Sequence, residues 1–157
     1  MNTDQSKLMN TDSKTKPELL HENLTYKIRG AIFNVANKYG KGLKEQIYQR
    51  ALAEEFSKSS IKFEEQKRIT IYSLETGKPL GYYTPDFLVE NAVIVEIKST
   101  EFASEQNRKQ QLSYLKGSRY ELGFLVNFST PRLYIERFIY TNDRKPQFLT
   151  NEIRVNQ

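Results

Sequence analysis

The sequence predicts an α/β fold: a mixed central β-sheet of four to five strands flanked by helices, in the order α-α-β-β-β-α-β-β. Three observations carry this. Residues 19–57 contain two stretches whose apolar side chains recur at helical spacing. Residues 62–98 switch to the two-residue period of strands. A polar helical stretch at 105–116 then separates those strands from two more, as a crossover between strands requires.

Pro17-Glu18 suits a first helical turn. The helix it opens runs from about Leu19 to Tyr39, with Leu24, Ile28, Ala31, Ile32, Val35 and Tyr39 on one side. Gly40 and Gly42 stop it. A second helix, from about Leu43 to Ser57, places Glu45 on the same face as Tyr48 and Leu52, so that face is expected to be partly buried. A buried carboxylate is costly unless it is paired or bound to metal. Glu54 and Glu55 follow, at least one of them an ordinary surface carboxylate. Strands are expected at Lys62–Tyr72 and Leu80–Val89, with a Gly- and Pro-bearing turn at 74–79 between them. A third strand, Val93–Lys98, completes an antiparallel meander. Ser104 is a candidate N-cap for the helix at 105–116. Strands at about Glu121–Phe128 and Leu133–Tyr140 end the folded part. The chain is read as one domain over residues 17–140, with a polar N-terminal tail at 1–16 and a loosely held polar tail at 141–157. The tail repeats Met-Asn-Thr-Asp at residues 1 and 9.

One stretch departs from the pattern of a buried strand. Val93, Val95 and Ile97 share one face, but Ile94, Glu96 and Lys98 share the other, so a carboxylate and an ammonium sit side by side on an apolar strand. If the runs either side of Glu90-Asn91 pair as a hairpin, Asp86 comes near Glu96. Glu96 and Lys98 can be read as a charge pair on a solvent-facing sheet, or as part of a compact metal and phosphate site. Composition narrows the chemistry. There is no cysteine and one histidine, His21, which excludes Cys-ligated zinc and argues against His-based nucleophilic catalysis. Catalysis must then use carboxylates, lysine and a hard, oxygen-bound cation. The net charge of +5 permits a polyanionic partner without demanding one. No apolar run approaches the roughly 20 residues of a membrane span, so the expected location is the cytoplasm, with no membrane partner.

Thr84-Pro85-Asp86 followed by Glu96-Ile97-Lys98 resembles the PD-(D/E)XK nuclease superfamily. Gly42-Leu43-Lys44-Glu45-Gln46-Ile47-Tyr48 resembles the signature of its GxxExxY branch, Gln110-Gln111-Leu112-Ser113-Tyr114-Leu115 its glutamine-containing helix, and Gly123–Phe128 the strand that follows. The likeness covers about residues 24–140, and departs from the branch at Val35-Ala36, where a Val-His pair is common.

The resemblance implies a restriction-endonuclease-like core and a magnesium-dependent nuclease, with manganese as a substitute ion. Asp86 and Glu96 would hold the cation, with the Ile97 main-chain carbonyl as a further ligand. Lys98 would stabilise the attacking hydroxide and the phosphate. Glu45 would reach in through a water or as a second-metal ligand. Gln110 would orient the water or touch the scissile phosphate. Tyr48 and Tyr114 would pack and hold Glu45 and Gln110. Lys67, Arg68, Arg108, Lys109 and Lys116, with Arg119 nearby, are candidate nucleic-acid contacts. The substrate is expected to be DNA rather than RNA, and a homodimer is possible where both strands are cut. The alternative is a non-catalytic nucleic-acid-binding or regulatory module on the same fold; a complete acidic set argues against decay. A protein-interaction domain would be favoured only if the acidic residues were dispersed in space.

Overall fold

The structure is a computed structural model that describes residues 20–155. Two helices come first, α1 (Glu22–Tyr39) and α2 (Glu45–Lys58). Five short strands follow: β1 (Phe63–Glu65), β2 (Ile69–Tyr72), β3 (Pro79–Tyr83), β4 (Phe87–Val89) and β5 (Val93–Lys98). Helix α3 (Glu105–Gly117) crosses over to β6 (Leu122–Asn127), and β7 (Tyr134–Ile139) returns beside it. The main sheet has the order β1-β4-β5-β6-β7, while β2 and β3 form a separate hairpin. β5 and β6 run parallel; the other pairs are antiparallel.

The sheet is covered on both faces, and the strand period assigns each residue to one of them. Val93, Val95 and Ile97 of β5 join Phe124 and Val126 of β6 under α1 and α2, where Ile28, Ile32, Val35, Leu52 and Phe56 complete the larger core. Ile94 and Leu125 face the opposite side, with Leu115 of α3 and Ile69 and Tyr83 of the hairpin. Full burial of one such aliphatic side chain stabilises the fold by about 1.5–3 kcal/mol. The β4–β5 turn is tight because Glu90 and Asn91 both adopt positive φ (51° and 50°), closing on the Ala92 N–H to Val89 carbonyl bond of 3.0 Å. Glu90 is held there by bonds in both directions with Lys62.

Two expected strands are each broken in two. Lys62–Tyr72 divides at Gln66, whose φ of 53° turns β2 out of the main sheet. Leu80–Val89 divides at Thr84-Pro85-Asp86, because Pro85 has no N–H for a ladder. The resulting hairpin packs over α3, where Gly117 leaves room for Ile71: a Cβ there would lie 2.9 Å from the Ile71 methyl. The expected loose segment after residue 140 instead forms a 3-10 turn at Asn142–Arg144 and a helix, α4 (Gln147–Val155), with Leu149 buried against Tyr72. Pro17-Glu18 and the repeated Met-Asn-Thr-Asp lie outside the described residues.

Candidate active site

The hairpin register brings the two strand carboxylates together. Phe87 stands opposite Val95, so Asp86 falls opposite Glu96. The Asp86 N–H donates to Glu96 Oε1 at 2.9 Å, and the Ile97 N–H donates to Asp86 Oδ2 at 2.7 Å. Each acid thus ties down the strand that carries the other. Continued one pair further, the register sets Pro85 opposite Ile97. A residue with an N–H would return a ladder bond to the Ile97 carbonyl there; proline cannot. Pro85 therefore stands where the β4–β5 pairing ends and the sheet opens.

The electrostatics of the pair are unfavourable when no cation is present. Burial, then the Asp86 charge, pushes the Glu96 carboxyl up to about 7, against the Tyr83 hydroxyl, the Asp86 N–H and Lys98, which favour the ionised form. Burial also raises Asp86, opposed by the Ile97 N–H, while the charge of Glu45 adds to the rise. Lys98 sits at the end of β5 on the Glu96 face and lowers both carboxyls by its charge. Two half-buried carboxylates that repel each other are a hard oxygen donor set that fits a small divalent ion, since magnesium is commonly held by one or two carboxylates and keeps several waters.

Glu45 reaches this region differently from expectation. It is exposed rather than partly buried, at the first residue of α2, and its Oε1 accepts from the Ser99 N–H just past Lys98, at 3.4 Å. Among the described residues no group of three or more acidic, His or Cys side chains is placed to hold an ion, and Glu45 acts on Asp86 through its charge. The buried carboxylate of α2 is Glu55. It pairs with Lys38 and Asn34 of α1, which hold its carboxyl below the usual range, and it fastens the two helices together.

The loop before Glu45 is built by three residues. Gly42 takes φ +94°, a backbone that disfavours side chains, and its N–H donates to Ser129 Oγ at 2.9 Å. Tyr48 is fully buried, stacks on Phe128 with ring centroids 4.4 Å apart, donates to the Gly40 carbonyl at 2.6 Å and accepts from the Leu43 N–H at 3.2 Å. Ser99 Oγ donates to the Leu43 carbonyl and meets Ser129 Oγ. Glycine, glutamate and tyrosine thus recur three residues apart for one purpose: the first turns the loop, the last fastens it, and the middle one is delivered to the end of β5. A groove of about 670 Å3 opens beside this loop, lined by Lys41, Lys44, Thr100, Phe102 and Pro131; it adjoins the carboxylate pair through Ser99 without being lined by it.

On α3 the structure separates the two glutamines. Gln110 is exposed and is not brought to the carboxylates by any hydrogen bond. Gln111 is buried, and the Tyr83 hydroxyl lies 3.4 Å from its Oε1. Gly123 makes room: a Cβ there would come within 3.1 Å of Gln111 Nε2. Tyr114 stacks on Tyr83 at 3.8 Å instead of holding Gln110. Gln111 could have been found in the sequence, because it lies one turn before Leu115 on the apolar side of the helix. Tyr83 and Gln66 carry no such signal. Gln66 approaches Asp86 from β1–β2, its main-chain N–H 3.3 Å from the Asp86 carbonyl and its amide 3.4 Å from Oδ1.

The predicted cations do not form one stripe. Arg108 gives its donors to Glu136 (2.6 and 2.7 Å) and Glu105 (2.8 Å), locking α3 to β7, so it is committed to the fold rather than open to phosphate. Lys67 pairs with Glu64 at 2.9 Å. Arg68 lies over Tyr82, and Lys116 over Tyr140. Lys109 is exposed.

A mixed sheet with two helices on one face, a crossover helix on the other and an Asp–Glu–Lys cluster where its central hairpin opens defines a restriction-endonuclease-like fold. The chain belongs to the PD-(D/E)XK nuclease superfamily, whose family model matches residues 22–138. Among solved structures, it is similar to an alkaline exonuclease from Laribacter hongkongensis, at 14% identity over 80% of this chain and 83% of that one, with a TM-score of 0.42. No curated protein matches the sequence significantly. Among the described residues no helix is long and apolar enough to cross a membrane.

Proposed function

We propose that this protein is a magnesium-dependent nuclease that hydrolyses phosphodiester bonds in DNA, of the GxxExxY type. Superfamily membership supports nuclease action in general terms. The observation that carries the finer reading is the reciprocal lacing of Asp86 and Glu96 across β4 and β5, with Lys98 beside them. It concentrates negative charge at a buried point that a divalent cation would neutralise.

Asp86, Glu96 and the Ile97 carbonyl would hold the ion, which when bound supplies charge for the phosphate and lowers the pKa of a coordinated water. The chain's own groups do the rest. Lys98 places a compact positive charge against the phosphate as negative charge grows on it. Glu45, fixed by the Gly42–Tyr48 loop, orients water from the far side. Tyr83 and Gln66 hold Glu96 and Asp86 in register. The groove beside Lys41 and Lys44 receives the strand being cut.

The test is a cleavage assay on single-stranded, duplex and branched DNA and on RNA, with magnesium, manganese or chelator. The proposal expects cleavage of DNA that needs a divalent ion. A wild-type protein that binds all these substrates and cuts none would instead be a non-catalytic binding module.

A further inference from the structure

A second concavity, of about 510 Å3, opens between the β2–β3 hairpin and the segment that follows α3. Lys67, Arg68 and Arg119 line it, with Tyr82 and Tyr120, and no carboxylate is in its lining. The Arg68 guanidinium lies 4.7 Å from the Tyr82 ring centre, and that of Arg119 lies 5.2 Å from the Tyr120 ring centre. Stacking of this kind holds a planar guanidinium while leaving its edge N–H groups free for a phosphate. Lys67 is partly offset by Glu64 at 2.9 Å, so the two arginines carry most of the available charge.

Arg119 is mounted on an unusually well-held piece of chain. Lys145 is buried, and its ammonium donates to the carbonyls of Ser118 (2.6 Å) and Tyr120 (2.9 Å) and to Asn142 Oδ1 (2.6 Å). An ammonium has three N–H donors, and here all three have acceptors. Asn142 Nδ2 holds the carbonyl between them, that of Arg119, at 3.3 Å. Three consecutive carbonyls are thus fixed by two side chains, and the cation this segment presents to the concavity is Arg119, beside Tyr120. Such pre-organisation lowers the ordering cost of binding. At its other end the concavity begins at Lys67 and Arg68, directly after Gln66, which contacts Asp86.

We propose that this concavity is a second nucleic-acid contact, which grips the phosphodiester backbone through Arg68 and Arg119 while the carboxylate pair engages a different phosphate. Its ligand class rests on the nuclease reading. The chemistry is that of backbone recognition: guanidinium forks for phosphates, with tyrosine rings to hold them. Binding there is insensitive to sequence and falls as salt rises.

The experiment uses the full chain in chelator, so that binding is read without cleavage. Fluorescence anisotropy of labelled random-sequence duplex DNA, single-stranded DNA and RNA is followed across a potassium chloride series. Arg68→Ala/Arg119→Ala is expected to raise Kd about tenfold and to reduce the log–log salt slope by about two, at roughly 0.9 per phosphate contact on a duplex. Arg68→Lys/Arg119→Lys keeps the charges and is expected to keep the slope while losing part of the affinity. Lys27→Glu, which changes net charge by the same two units on an exposed face of α1, is the control and is expected to change the slope far less. Hydrolysis of a small chromogenic phosphodiester with magnesium or manganese is expected to be unchanged in the double alanine variant. Wild-type binding retained in that variant, an equal loss in Lys27→Glu, or no binding by the wild type to any of the three nucleic acids would overturn the proposal. Loss of binding in the variant of a protein that never hydrolyses any substrate would leave the contact standing and sink the nuclease reading.

Discussion

The Tyr83 hydroxyl lies 3.4 Å from the Gln111 amide oxygen, and from there it favours the ionised form of the Glu96 carboxyl. Gln111 Nε2 is buried without a partner in this arrangement. Turning the amide by 180° gives its NH2 to the Tyr83 oxygen and frees the phenol proton from Gln111. Burial and the neighbouring carboxylates drive the Tyr83 phenol far above its ordinary pKa, which keeps it a donor throughout the working range.

Tyr83→Phe should therefore remove a hydroxyl that favours ionised Glu96. Burial and the Asp86 charge would be less opposed, and the Glu96 carboxyl would rise further above about 7. The expected outcome is a shift of the acidic limb of the cleavage pH–rate profile to higher pH, with little loss of rate on the alkaline plateau. A profile that falls uniformly at every pH would show that Tyr83 only packs.

Glu96 also couples stability to pH in the metal-free protein. Its carboxyl is raised from an ordinary 4.5 to about 7. Between those values the folded state keeps a proton that the unfolded state has lost, so stability falls as pH rises, by up to about 3 kcal/mol. Urea melts in chelator should show that fall in the wild type and not in Glu96→Gln. The variant should be the more stable of the two at pH values above the window. Added magnesium should stabilise the wild type and leave Glu96→Gln unmoved.

The loop that delivers Glu45 offers two separable variants. Tyr48→Phe keeps the stack on Phe128 but loses the bonds to Gly40 and Leu43, a cost of about 1–2 kcal/mol. Gly42→Ala meets open space, so its cost is that of the left-handed backbone alone, about 1–2 kcal/mol. Both should lower cleavage more than thermal melts would account for, because Glu45 is displaced. Full activity in both would detach Glu45 from the reaction.

Much of this site was legible in the chain. The two-residue period and the Glu90-Asn91 turn fix the register that pairs Asp86 with Glu96, and both features are local. Pro85 carries a strand-breaking signal inside the expected Leu80–Val89 strand, and the chain divides there. What was not legible depends on distant partners or on backbone angles. Nothing local tells that Gln66 adopts positive φ and sends β2 out of the sheet. Arg108 reads as a surface cation until Glu136, 28 residues away, takes its donors. Glu45 is exposed at the first residue of α2, while Glu54 is the surface carboxylate expected of the pair that follows and Glu55 is buried because it meets Lys38 of α1. Lys145 and Leu149 gain their roles only when the segment after β7 folds back on α3 and the hairpin.

On the proposed function, the Asp86–Glu96 pair with Lys98 is a metal-dependent hydrolytic site. Single-turnover cleavage of an end-labelled DNA duplex by the wild type and by Asp86→Asn, Glu96→Gln and Lys98→Met tests it most directly, with magnesium and with chelator. Cleavage is expected of the wild type only with magnesium, with a loss of at least about a hundredfold in each variant, the scale on which removing one transition-state contact acts. Wild-type cleavage that persists in chelator, or variants that cut at the wild-type rate, would contradict it.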